Sequence, residues 1–206
     1  PMLELSDSSK SNTVWYYQVD SFDDELFGRA LRYLDKAAAA MPAELEYRVW
    51  KVSALMLYEK ESPDMTLGLI LSLIDEDRST GQKWLYQGEE QDRDFFDGLI
   101  QEFCWNLFNL GTPQAREAFL KVSEKMLSYD RKSPVFMANV GSYLMSVKEY
   151  KKALKQFDKV LKLDPDNDTA IRSCVTIARI LRDDKVKSKY NPMLSRLSSG
   201  GTAASY

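Results

Sequence analysis

The segment Pro134–Asn167, PVFMANVGSYLMSVKEYKKALKQFDKVLKLDPDN, contains the clearest structural pattern in the chain. A small residue, Gly141, precedes a second one, Ala153, by 12 positions, and Pro165 follows Ala153 by another 12. Small side chains allow two antiparallel helices to touch, and a proline cannot continue the second helix. The apolar residues on either side of the central turn have helical spacing. The two helices are predicted at 134–146 and 149–163.

This spacing resembles a tetratricopeptide repeat, a helix–turn–helix unit of 34 residues. Phe157, four positions after Ala153, is placed to fill the gap to the next helix pair. Leu144 takes the position of the repeat's tyrosine, and Met137 and Val140 take earlier apolar positions. The resemblance implies an all-α fold, an α-solenoid of antiparallel helix pairs that form a right-handed superhelix. In such arrays the first helices of the pairs line a concave groove.

Weaker matches extend the pattern over residues 12–197. The second half of a repeat recurs near the start, with the same 12-residue spacing to a proline, at Ala30, Leu34, Ala37 and Pro42. The first helix of that unit would be Asn12–Asp20. A second unit is marked by Trp50 and Ala54 in its first helix and by Gly68 and Ser72 in its second. A third is marked by Cys104 with Leu107, and Asp168–Leu197 is a fourth half-match. The sequence predicts three to four repeats, with an ordinary helical bundle as the alternative.

Between these units the chain reads as a series of helices with short connections. They are expected at about 22–40, 43–58, 65–74, 92–110, 114–127, 167–182 and 192–197. Residues 75–91 interrupt the series and are predicted to be an insertion, either a loop or a segment with its own short helix. Residues 1–11 are expected to be a flexible N-terminal segment, and residues 198–206 a disordered tail.

The composition excludes several chemistries. The chain contains no histidine, so a Ser-His-Asp triad, a Cys-His pair and a histidine-ligated metal are ruled out. The two cysteines alone cannot form a four-ligand zinc site. No phosphate-binding, dinucleotide-binding or nucleophile-elbow motif occurs. We therefore expect a non-enzymatic protein without a cofactor or metal.

The charge is distributed unevenly along the chain. Residues 1–130 carry 13 Lys/Arg and 24 Asp/Glu, a net charge of −11, whereas residues 131–197 carry 15 and 7, a net charge of +8. Solvated faces of two chain halves explain this pattern, and attraction between the ends of neighbouring copies is an alternative. The lysines around 148–162 also allow weak nucleic-acid binding. Against this, the second helix of such a repeat, which carries most of these lysines, forms the convex side of the array.

The resemblance also implies which residues would line a peptide-binding groove. By register with the best repeat, they are Gln101, Trp105, Phe108, Asn109, Asn139, Ser142, Met145, Arg172, Thr176 and Arg179. Trp105 would anchor a ligand, and Arg172 and Arg179, seven residues apart on one helix face, would grip a carboxylate. Some members of the family bind chaperone C-termini through lysine and asparagine residues at fixed groove positions. Ala138 and Ser142 occupy those positions here, which argues against that activity.

The sequence thus predicts a scaffold or interaction module that binds a peptide or protein segment. Self-assembly through oppositely charged ends is the alternative function, and nucleic-acid binding is a weaker one. No apolar run is long enough to span a membrane. The compartment stays open between the cytoplasm and, if an N-terminal signal was removed, the periplasm or exterior.

Overall fold

The structure, a computed structural model, describes residues 24–200, and side chains as far as Leu197. Within this range the chain forms nine helices and one β-hairpin. Their bounds are α1 Asp24–Ala40, α2 Glu46–Tyr58, α3 Asp64–Thr80, β1 Trp84–Tyr86, β2 Glu89–Gln91, α4 Arg93–Leu110, α5 Pro113–Tyr129, α6 Pro134–Ser146, α7 Tyr150–Leu163, α8 Asp168–Leu181 and α9 Asp184–Gly200. The all-α class predicted from the sequence is confirmed.

Most helices pack against their neighbours in the chain. Helices α4 to α9 form an unbroken succession of packed pairs, and α1 contacts α2, which contacts α3. Contacts that skip one helix join α3 to α5 and α6 to α8. Helix α6 therefore lies against both α7 and α8, so three consecutive helices pack together.

The segment 134–167 forms a tight pair of helices. Helix α6 has the bounds expected from the sequence, and α7 begins one residue later than expected. A Cβ atom added to Gly141 would lie 2.6 Å from Cε1 of Phe157, so only glycine fits against that ring. Ala153 and Phe157 are completely buried. Phe157 fills space within its own pair, as well as facing a core that includes residues of α8.

Two hydrophobic cores meet at α6. The N-terminal core joins residues of α2 to α6 and the hairpin, and the C-terminal core joins residues of α6 to α9. Phe136 belongs to the first and its neighbour Met137 to the second, because successive helix residues point in different directions. Leu127 packs against both cores. Helix α6 is therefore the seam between two halves of one continuous packed structure.

The structure corrects the prediction for residues 75–91. Helix α3 continues through this segment as far as Thr80 and ends at Gly81, whose φ of 61° is left-handed. A β-hairpin follows, in place of the expected loop or short helix, and Gln87 and Gly88 form its turn with φ values of 53° and 79°. Two left-handed residues suit a two-residue hairpin turn. The backbone of Leu85 also bonds to residues 43 and 45 ahead of α2.

The match near the start is only partly supported. Ala30, expected at a helix contact, is exposed, and Leu34 is half-buried. Pro42 is exposed, and its carbonyl accepts a hydrogen bond from Nη1 of Arg48 at 2.8 Å. Trp50, which marks the next partial unit, is 48% exposed. Valines 49 and 52 fill the buried side of α2 instead, and the expected helix at 12–20 lies outside the described residues.

The C-terminal helix is longer than predicted. Helix α9 includes Pro192 in its interior, whereas the sequence placed a short helix beginning there. The turn before the proline is anchored to α7, since Tyr190 and Lys189 both donate hydrogen bonds to Asp158. The helix also extends three residues into the predicted disordered tail. None of the helices in the described part of the chain is long and apolar enough to cross a membrane.

Candidate functional site

Two amides predicted to line a groove instead join three helices. Gln101 of α4 donates to Oδ1 of Asn139 on α6 at 3.1 Å, and Nδ2 of Asn139 donates back to Oε1 of Gln101 at 2.7 Å. Nδ2 of Asn139 also donates to Oγ of Ser123 on α5 at 3.2 Å. Asn139 is only 5% exposed, so its amide is not available to a ligand. The pair fixes α4 beside α6.

On α4 the side chain of Trp105 is displayed to solvent. It is 47% exposed, and its ring meets that of Phe108 edge-on, with the centroids 6.4 Å apart. Phe108 is half-buried and packs on Phe119 of α5 at 4.9 Å between centroids. Phe108 thus lies between Trp105 and α5. The neighbouring residue Asn109 is exposed. Trp105 therefore presents apolar surface to solvent and contacts a ring that is itself packed on α5.

Helix α6 adds small and apolar groups. Ser142 is half-buried, and its hydroxyl donates to the backbone carbonyl of Ala138 at 3.1 Å. Met145 is half-buried against the C-terminal core. Val135, at the start of the helix, is 43% exposed. Helix α6 therefore contributes no charged side chain.

Helix α8 exposes both arginines of the predicted pair, and only one of them forms an ion pair with a described residue. Nε of Arg172 binds both carboxylate oxygens of Asp168, at 2.7 and 2.8 Å. Thr176 is exposed and donates to the carbonyl of Arg172 at 2.9 Å. Arg179 is exposed and forms no ion pair with any described residue. Arg172 thus shares its Nε with a carboxylate of its own helix, whereas Arg179 does not.

The two cysteines have the properties of inert core residues. Burial raises the pKa of Cys104 to about 12, and a hydrogen-bonding contact with Ser123 acts in the opposite direction. Burial likewise raises the pKa of Cys174 to about 12. Both thiols are therefore protonated at neutral pH and poor nucleophiles. No group of three or more metal-ligating side chains occurs among the described residues.

A buried polar cluster in the N-terminal half escaped the sequence analysis. Nε1 of Trp84 in the hairpin donates to Oδ1 of Asp77 at 2.9 Å, and Arg78 forms ion pairs with Asp77, at 3.1 Å, and with Asp97. Burial raises the pKa of Asp97 even though Arg78 opposes this rise. The ring of Trp84 also stacks on Phe96 of α4.

This cluster holds the hairpin against α3 and α4. The one available signal was the apolar run Trp84-Leu85-Tyr86 followed by Gln87-Gly88, which is a hairpin pattern. The charged residues at 75–78 masked it, because charges usually indicate a loop.

No family model, curated protein or solved structure matches this chain. The function is therefore inferred from its own residues.

Proposed function

We propose that the protein is a non-enzymatic interaction module that binds an extended peptide or protein segment across α4, α6 and α8. We further propose that its helix pairs, α2/α3, α4/α5, α6/α7 and α8/α9, form a short solenoid of the tetratricopeptide type. The first helices of the last three pairs would then supply the surface that contacts the ligand.

The exposed Trp105 carries this proposal. A tryptophan that is nearly half exposed and braced by a second aromatic ring has a large apolar surface available for a ligand. Tryptophan and arginine dominate binding energy at protein interfaces, and Arg179 supplies an arginine without an ion-pair partner among the described residues on the same series of helices.

The order of the helices supports a shared face. Gln101 and Asn139 join α4 to α6, and α6 contacts α8 directly. Trp105 lies one turn beyond Gln101 on α4, and Ser142 lies one turn beyond Asn139 on α6. The close contact of Gly141 with Phe157 supports the repeat register from which this face was derived.

A peptide selected on the intact protein provides the ligand for a test. Peptides would be selected from a random display library, and the tightest would be synthesised for calorimetry. Trp105→Ala should weaken its binding at least tenfold, because hot-spot truncations exceed about 2 kcal/mol. Arg179→Glu should weaken peptides that carry a carboxylate.

Trp50→Ala is the matched control, because Trp50 is 48% exposed but lies on α2, outside the three helices of the proposed face. It should change the affinity by less than about twofold. Equal losses for Trp50→Ala and Trp105→Ala, or a failure to select any peptide, would remove the groove assignment.

A further inference from the structure

One side of α7 is formed entirely by lysines. Helix residues advance by about 100° each, so the five lysines of α7 fall within an arc of about 100°. All five are exposed, and they are Lys151, Lys152, Lys155, Lys159 and Lys162. The buried residues of α7, which include Ala153 and Phe157, point the opposite way. We call these five residues the lysine face.

The positive charge of the lysine face is largely uncompensated. Of the five lysines, only Lys152 forms an ion pair with Glu149, at 3.4 Å. Asp158, the acidic residue within α7, is already bound by Lys189 and Tyr190 of α9. The other four lysines of the face form no ion pair with described residues. Lys189 of α9 is paired with Asp158, so the positive charge of this surface comes from the lysine face itself.

The chemistry of the face indicates a phosphate partner. Neighbouring lysines three or four positions apart are about 5–6 Å apart, and the row extends for about 16 Å. An ammonium group is a compact point charge that contacts phosphate without reading a base. The arc contains no apolar residue to insert into a bilayer and no aromatic ring to stack on an unpaired base.

We propose that the lysine face binds the phosphodiester backbone of duplex nucleic acid without sequence preference. The net charges of −11 for residues 1–130 and +8 for residues 131–197 orient the molecule, with its C-terminal half toward the duplex. This activity is separate from peptide binding on α4, α6 and α8.

The test uses fluorescence anisotropy of a labelled DNA duplex of about 20 base pairs with the intact protein. Wild-type protein should bind at low salt and lose affinity as salt rises. The variant Lys151→Gln/Lys155→Gln/Lys159→Gln should bind at least tenfold more weakly at about 50 mM salt. Its plot of log affinity against log salt should be shallower by about 2.7, since each phosphate contact contributes about 0.9.

The matched control removes the same charge elsewhere, through Lys60→Gln/Lys121→Gln/Lys187→Gln, at three exposed lysines outside the face. It should bind within about twofold of wild type, and both variants should keep the wild-type melting temperature because all six positions are exposed.

Three outcomes would overturn the proposal. The first is no duplex binding at about 50 mM salt. The second is an equal loss of affinity in both variants, which would mean that net charge alone acts. The third is tighter binding to phosphatidylserine-containing vesicles than to the duplex, which would identify a membrane surface as the target.

Discussion

The two hydrophobic cores of this molecule differ in the side chains that form them. The N-terminal core contains large rings, among them Trp84, Phe96 and Phe103, and lies against the charged cluster around Asp77 and Arg78. The C-terminal core is made mainly of small and aliphatic residues, together with Tyr190 and with Phe157, whose ring is seated on a glycine. The first is specified by contacts between distant segments and the second by a local spacing.

This difference decides where substitutions should act. In the N-terminal half the hairpin is attached through a few aromatic and charged contacts, so removing one large ring should be costly. In the C-terminal half the helices touch closely, so even one added methyl group should lower the free energy of unfolding.

The largest effect is expected for Trp84→Ala. Truncating this 2%-exposed ring should lower the free energy of unfolding by about 3–5 kcal/mol, because it opens a cavity and leaves Oδ1 of the buried Asp77 without its donor. Urea unfolding would measure the change. Trp50→Ala, at an exposed tryptophan, should change stability by less than about 1 kcal/mol. Similar losses for the two variants would show that the hairpin is not a core element.

Gly141→Ala should have the next largest effect. The new Cβ would overlap the ring of Phe157, so we expect a loss of about 1–3 kcal/mol despite the better helix propensity of alanine. Thermal and urea unfolding would both report it. Adding Phe157→Leu to Gly141→Ala should cost less than the sum of the two single changes. Strict additivity would contradict the close contact.

A smaller, pH-dependent effect is expected at Asp158. Burial alone would raise its pKa, but hydrogen bonds from Lys189 and Tyr190 outweigh burial and lower it. A lowered pKa means that the interaction stabilises the fold above about pH 4, the unfolded value, and is lost as the pH falls through the folded value. Asp158→Asn should cost about 1 kcal/mol at neutral pH, since the site is partly exposed.

Unfolding measured from neutral pH down to about pH 2 would check this expectation. The Asp158→Asn variant should lose less stability than wild type on acidification. Asp166→Asn, at an exposed position after α7, serves as the control and should follow the wild-type curve. Parallel curves for Asp158→Asn and wild type would contradict the role of this carboxylate in anchoring α9.

The smallest effect, and of opposite sign, is expected for Gly68→Ala. Gly68 lies within α3, is exposed, and has nothing within 4 Å of the position where a Cβ would stand. Alanine should stabilise the protein by about 0.5–1 kcal/mol, because it restricts the unfolded chain and favours the helix. A loss of stability would place an unrecognised contact against α3.

Sequence-based prediction worked well where the signal was local. Gly141, Ala153 and Pro165 each act within one helix pair, so their spacing was sufficient to place α6 and α7. Arg172 was different, because the spacing to Arg179 indicated a shared face but not that Asp168, one turn earlier, would bind its guanidinium. For the candidate site, the sequence did not distinguish accessible from buried groove residues. In the structure Trp105 is exposed and Asn139 is buried.

The all-α class, the α6/α7 pair and the lysine-rich side of α7 can be read from the amino-acid order, because each depends on residues within a few turns of one another. Tertiary contacts were needed to establish that residues 84–91 form a hairpin, that Asp77 is buried with Trp84, and that Trp50 and Trp105 are exposed. Burial depends on which distant segments meet, and the free energy of such contacts is not encoded in any local spacing.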